Sequence, residues 1–562
     1  ANGSTLSGIE KTYLLGQSDP AYPLYYNGKK VSRTKSGYYS LSSTLVKGKN
    51  TIVLSQNGKD FEFILYNGAS GQSGGSTGGA VSYPIMEKFE IIPITPTSDA
   101  ALPCTETLSV SVKAPSGSKV VCKLGEISVE LTAQGKAPGT DKLYEEIYSG
   151  RISLANEPAG SVGNANVLNV TAVKGKQSAT TALCSVRALG ANAVIPIEVT
   201  GEHTPLKIAT DSYSYDDFTS QAPGMRDNAK RLENGFYLLR VGGYVAEANV
   251  KELDAEVPTA KVTAARLVNE GEYTCLYLDS DTPMPMNGRV ENGEFILNVY
   301  NTDISSRPEL TVDTGDVLFK AARSELSTKA NCFRYHLTLA DPLNFYGFDF
   351  KYSGNTVIVR FKNPSGLADS DKPLEGKTIV IDAGHGGYDA GASGASPIFK
   401  EAQVNLGVAT AAEKALAALG AQVVMTRTED EYLALTERMN DVETLTPDLS
   451  ISVHQNSMEY NVDVSKVRGL VALYWEYAGY PLAESMAESL SASLGRYNRG
   501  AAQQRLAMVR CERYPSVLIE LGFMTSAEEL ESVTAAGGFE RAGAAIADAV
   551  LDYYRAQAKW CR

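Results

Sequence analysis

Thr378-Ile379-Val380-Ile381-Asp382-Ala383-Gly384-His385 is a short apolar run that ends in a histidine. Further along, Leu449-Ser450-Ile451-Ser452-Val453-His454 repeats the arrangement. Short apolar runs of this kind, rich in Ile and Val, are read as buried strands. Both imidazoles then emerge at strand C-termini. In open α/β sheets that edge is where ligands bind. The chain has only four histidines, so two at equivalent strand ends are the first candidates for chemistry.

Reading outward, strand-like and helical runs alternate from Pro373 onward. They fall at 378–381, 401–419, 422–426, 433–445 and 449–453, then at 469–475, 481–494, 506–509, 517–519 and 539–554. The run at 506–509 reads as a strand, and Cys511 after it as partly exposed. This alternation predicts an α/β domain over 374–558, with a mainly parallel twisted sheet and helices on both faces.

The preceding residues read differently. Asn27-Gly28 and Asn57-Gly58 are tight-hairpin signals, and 1–66 is expected to be a small β-sandwich module. The Gly/Ser run Gly71-Gln72-Ser73-Gly74-Gly75-Ser76-Thr77-Gly78-Gly79 marks 67–84 as a linker. Alternating strands such as Leu108-Ser109-Val110-Ser111-Val112 make 85–198 a second β module, immunoglobulin-like in pattern. A third unit is expected at 199–258, around Phe236-Tyr237-Leu238-Leu239-Arg240-Val241-Gly242-Gly243-Tyr244-Val245. A fourth is expected at 259–364, with Glu294-Phe295-Ile296-Leu297-Asn298-Val299 among its strands.

A chain of 562 residues exceeds what one hydrophobic core usually supports. The net charge is −13, and residues 374–562 carry 16 Lys/Arg against 25 Asp/Glu. An acidic domain makes a poor nucleic-acid binder and is compatible with a metal cation. No apolar stretch is long enough for a membrane helix. The chain starts Ala1-Asn2-Gly3-Ser4 without Met, as expected of a processed or trimmed N-terminus. Seven cysteines without CxxC spacing read as buried thiols rather than a disulfide framework.

Glu401 opens a helix whose apolar residues Val404, Val408, Ala412, Leu416 and Leu419 recur at helical spacing, stopped by Gly420. Taken alone, a glutamate in a first turn is a helix-dipole partner. The loop before it, from Gly386 to Lys400, can fold back and bring it near His385. Two His and one Glu are the donor set of a hydrolytic zinc site with one position left open. Gly384, Gly386 and Gly387 allow the sharp turn off the strand. They match neither a dinucleotide fingerprint nor a Walker loop. Glu520 follows the apolar run Val517-Leu518-Ile519. A carboxylate there is unfavourable unless paired or functional.

At these residues the C-terminal domain resembles the zinc-dependent N-acetylmuramoyl-L-alanine amidases of bacterial cell-wall turnover. The resemblance rests on Asp382-Ala383-Gly384-His385-Gly386-Gly387, Lys400-Glu401, Val424-Met425-Thr426-Arg427, Ser452-Val453-His454-Gln455-Asn456 and Ile519-Glu520-Leu521-Gly522-Phe523. It implies Zn2+ held by His385, Glu401 and His454, and Glu520 as catalytic acid/base. The substrate would be peptidoglycan, cut at the amide between N-acetylmuramic acid and L-alanine by a secreted, wall-associated enzyme. Ala383 stands where the family usually has proline. Only Met458 to Arg468 stand between the second histidine motif and the next strand at Gly469, too few for the inhibitory helix some relatives carry. Arg427 and Asn456 are assigned to substrate, whereas Arg438 is read as a surface ion-pairing residue. Tyr474, Trp475 and Tyr477 are read as core, and His203 and His336 as structural.

The 199–258 run resembles small SH3-like barrels attached to wall hydrolases, and 259–364 resembles β-sandwich targeting domains. The β modules are expected to bind cell wall or protein partners, with no nucleic acid and no membrane insertion. Two other readings stay open at this point: a wall-binding or adhesive protein with a vestigial amidase domain, and a zinc peptidase acting on the stem peptide.

Overall fold

A computed structural model of the chain describes residues 4–7, 9–68, 84–135, 142–155, 165–210, 216–312, 318–329, 331–392, 399–459, 461–463 and 467–559. The Gly/Ser run 71–79, the Pro397-Ile398 part of the loop before Glu401 and Cys561 lie outside them.

Six strands form the sheet of the C-terminal part: β1 (Thr378–Ala383), β2 (Gln422–Met425), β3 (Leu449–Asn456), β4 (Leu470–Tyr474), β5 (Asn498–Gln503) and β6 (Ser516–Phe523). Their order is β2-β1-β3-β6-β4-β5. Pairing is parallel between β1 and β2, β1 and β3, β3 and β6, and β4 and β5. It is antiparallel between β6 and β4. The register sets Ala383 beside Val453 and His454 beside Glu520. All the motif-bearing strand ends therefore meet at one edge.

Side chains alternate across β1, as the strand period requires. Ile379, Ile381 and Ala383 join the main core. It also takes in residues of α1 (Glu401–Ala418), α3 (Gly479–Leu494), α4 (Ala527–Thr534) and α5 (Gly538–Gln557). Val380 points the other way, into a smaller cluster with Val442 of α2 (Leu435–Leu445), Met508, Cys511 and Tyr514. Both faces are covered, but unequally. The run 506–509 is not a strand. Ala507–Val509 forms a 3-10 turn that packs its apolar side chains under the sheet, and Cys511 is buried. A four-residue apolar run has no period long enough to separate the two outcomes. Among the described residues the cysteines are free thiols.

Upstream, the first 68 residues hold a five-stranded and a two-stranded sheet. Asn27, Gly28, Asn57 and Gly58 take positive φ at its two hairpins. The next two units have separate cores, yet their strands run in one continuous path. Ala100–Pro103 pairs with both Gln177–Leu189 and Arg226–Glu233. Ile195–Val199 pairs with Arg226–Glu233 and Val250–Glu252, completing the smaller unit rather than ending the larger one. Residues 262–362 make two four-stranded antiparallel sheets around an aromatic core of Phe295, Phe319, Phe345, Phe348 and Phe361.

That sandwich sits against the six-stranded sheet at the edge opposite the histidines. Phe348 N donates to Glu512 O at 2.9 Å, and Lys362 Nζ meets Asp448 Oδ1 at 2.9 Å. Tyr346 enters the C-terminal core, while Ala478 enters the sandwich core. The first module also reaches the C-terminal part: Tyr38 is buried in its core, and Ser36 N donates to Glu531 on α4. Among the described residues no helix is long and apolar enough to cross a membrane.

Candidate active site

The C-terminal edge of the sheet gathers His385, Glu401 and His454, with one donor atom from each lying within 4.8 Å of the others. His385 Nε2 is 3.3 Å from Glu401 Oε2, and His454 Nδ1 is 3.0 Å from Glu401 Oε1. Two ligands about 2.0–2.1 Å from a common tetrahedral ion stand roughly 3.3 Å apart. The spacing and the N/N/O donor set therefore fit a divalent cation such as zinc.

Each donor is aimed from behind. Glu401 enters at the first turn of α1, where Ala392 N donates to Oε2 (2.7 Å) and Gln455 N to Oε1 (3.1 Å). Asn405, one turn further along α1, donates to the same Oε1 and to Gly384 O. His385 Nδ1 contacts Asp389 Oδ2 at 2.8 Å, which leaves Nε2 facing the cluster. Burial works against a charged His385, yet the carboxylates of Glu401 and Asp389 raise it to about 9 in the ion-free protein. Burial likewise opposes ionisation of Glu401, but the two imidazoles hold it well below the usual carboxylate range.

Two glycines make room. A Cβ on Gly384 would stand 2.2 Å from the His454 ring. One on Gly391, at φ +64°, would meet Glu401 Oε2 at 2.5 Å and His385 Cδ2 at 2.7 Å.

Glu520 lies beside His454 in the register. Its Oε2 is buried and takes no hydrogen bond among the described residues. Burial pushes its carboxyl up to about 7; Glu401 adds to the rise, and the two imidazoles oppose it. A carboxyl that changes charge near neutrality can both accept and return a proton. Asn456, half-buried at the same edge, uses its side-chain oxygen to accept from Ser457 N.

The two arginines are where the sequence reading is corrected. The sequence assigns Arg427 to substrate, but the residue is 2 % exposed. Its guanidinium donates to the carbonyls of Ala383, Gly384, Ala402 and Glu429, which leaves it no face for a ligand. Arg438 is not a surface residue either. It is buried, pairs with Asp382 at 2.7 Å, and donates to Ala383 O and His385 O. Asp382 also accepts from Thr426 and Ser452 hydroxyls. Burial opposes its charge, and Arg438 with those hydroxyls holds its pKa down. These bonds fix a histidine at φ +62°, a region that costs an L-residue about 1–2 kcal/mol.

Asp389, Gly391 and Asn405 escaped the sequence reading. The available signal for Asp389 was a carboxylate four residues after a histidine, in a glycine-rich turn short enough to bring them together. Trp475 and Tyr477 lie by the sandwich, Trp475 with the Arg505 guanidinium 5.1 Å from its ring centroid and Tyr477 against Phe345. His203 and His336 contact Glu443 and Glu294 respectively. Among the described residues, no helix lies between Asn456 and Leu470.

Residues 379–552 match the family model described as N-acetylmuramoyl-L-alanine amidase. The N-acetylmuramoyl-L-alanine amidase LytC of Bacillus subtilis (strain 168) is 33% identical over 207 residues, covering 37% of this chain and 41% of LytC. The chain thus spans less than half the length of that relative. YqiI of the same organism is 33% identical over 191 residues, or 33% of this chain and 89% of YqiI. Among solved structures, the catalytic domain of the amidase CwlV from Bacillus (Paenibacillus) polymyxa var. colistinus is 31% identical. It covers 32% of this chain and 97% of that one, with a TM-score of 0.30.

Proposed function

Through residues 379–552 the chain belongs to the N-acetylmuramoyl-L-alanine amidase family, and we propose that it hydrolyses the amide between N-acetylmuramic acid and L-alanine in peptidoglycan. The observation that carries this reading is the convergence of His385, Glu401 and His454 donor atoms within 4.8 Å, beside a glutamate with an unpartnered buried oxygen. We assign the first three as zinc ligands. Zinc, when bound, would polarise the scissile carbonyl and lower the pKa of water to about 7.

The remaining steps belong to the chain's own residues. Glu520 accepts a proton from the attacking water as the hydroxyl adds to the carbonyl carbon. It returns that proton to the L-alanine nitrogen as the C–N bond breaks. Asp389 keeps His385 in the tautomer that presents Nε2. Asn456 is assigned to hydrogen-bonding the substrate through its side-chain nitrogen. The β modules are assigned to the wall or to protein partners. The enzyme would act outside the membrane, at the wall.

Replacing Glu520 by Gln tests the assignment. Turnover of purified peptidoglycan should fall by about 10²–10⁴-fold, with zinc content unchanged. A variant that keeps most of the parental rate contradicts the role given to Glu520.

A further inference from the structure

Among the described residues Tyr388 is the most exposed of the large apolar side chains, at 81 %, and it follows His385 by three residues at the rim of the site. Gly386 N donates to Asp389 O and Asp389 N to Gly386 O, at 2.9 and 3.1 Å. These bonds close a tight turn with Gly387 and Tyr388 at its tip. Asp389 holds His385 Nδ1, so the turn is tied directly to the cluster. The loop 428–432 abuts it. Gly387 N donates to Asp430 Oδ1 at 2.9 Å, and a Cβ on Gly386 would meet Glu431 O at 2.0 Å. Across this contact the Tyr388 and Tyr432 rings stack, with centroids 4.1 Å apart and planes at 25°. The stack holds two aromatic rings in a fixed orientation on the surface.

We propose that the Tyr388–Tyr432 stack is a subsite for the neutral sugar rings of the glycan strand flanking the scissile amide. A flat aromatic face complements the C–H face of a pyranose, and the phenol hydroxyls complement its hydroxyl and acetamido groups. The charges around the platform select between the two halves of the substrate. Glu429, Asp430 and Glu431 are exposed in one run leading to Tyr432. The stem peptide carries carboxylates, which such a run repels; N-acetylated sugars carry none. This subsite rests on the amidase reading for its substrate.

The experiment compares the parent with Tyr388→Ala and Tyr432→Ala, exposed sites where truncation leaves the core intact. Two substrates share one stem peptide: a glycan chain of several disaccharides, and a muramyl peptide with a single sugar. The expected result is that the ratio of kcat/KM, long over short, falls about five- to ten-fold in each variant, as loss of one aromatic contact predicts. Tyr388→Trp should restore it. In parallel, saturation-transfer NMR of the metal-free protein with N-acetylglucosamine tetramer should show contacts that Tyr388→Ala removes. An unchanged ratio with unchanged tetramer contacts in an active enzyme overturns the subsite and leaves the amidase reading standing. A selective loss on the single-sugar compound overturns it in favour of a peptide subsite. Tyr388-dependent tetramer binding in a parent protein that cleaves neither substrate supports the subsite and rejects the amidase reading.

Discussion

His385 depends on Asp389 as much as on its own position. A histidine whose second nitrogen is held by a carboxylate presents a fixed tautomer and a more basic donor, and such partners affect metal affinity by about 10–100-fold. With Asp389 Oδ2 at 2.8 Å, Asp389→Ala should weaken zinc binding by that order, read by competition with a chromophoric chelator. Unchanged affinity would mean that the turn alone orients the ring. The residues at the site differ in how legible they were. His385, His454 and Glu520 each follow a short apolar run, so their place near the C-terminal edge of a buried sheet could be read directly, although His454 and Glu520 lie within β3 and β6 rather than after them. Glu401 needed its helix and the motif company. Arg427 and Arg438 could not be read, because nothing in a linear pattern separates a charge facing solvent from one that binds four carbonyls inside a loop. Their burial is a property of how β1, β2 and α2 converge.

Among elements, the joint between β1 and α2 should be the most sensitive. Arg438 and Asp382 are 3 % and 1 % exposed and lie 2.7 Å apart. Removing one partner of a buried pair leaves an uncompensated charge, at about 3–5 kcal/mol. Arg438→Ala should destabilise the protein by that amount in urea unfolding. A loss under 1 kcal/mol would show that the pair does not hold the loop. A second joint lies where His203 meets Glu443 of α2, Nε2 to Oε2 at 3.2 Å. Burial, helped by the nearby Arg513 charge, lowers His203 from 6.5 to about 3. Its folded pKa is depressed, so its contribution is full above pH 6.5 and is lost as pH falls toward about 3. His203→Gln should therefore flatten the decline in Tm between those values. An identical decline in parent and variant would remove His203 from the account. The strands with continuous apolar runs were legible, whereas β5 was not. Asn498-Arg499-Gly500-Ala501-Ala502-Gln503 is an edge strand with no apolar period, and only its pairing with β4 makes it one.

At the scale of the molecule, the sequence pointed to β modules strung ahead of the α/β domain, and the packing joins three of them to it. Tyr346 and Tyr38 both lie in the C-terminal core, Tyr38 across nearly the whole length of the chain. Such contacts have no local signature, since they depend on where distant surfaces meet. The sandwich takes the sheet edge opposite the histidines, leaving the histidine edge for the proposed polymeric substrate. Whether that edge cuts the sugar–peptide amide or a bond within the stem decides the account. Defined peptidoglycan should be digested by the zinc-loaded chain, with and without chelator, and the products weighed. The account predicts intact stem peptides beginning at L-alanine, together with glycan bearing free lactyl carboxyls, and loss of both with chelator. Shortened stems, or release that chelator does not affect, would contradict it.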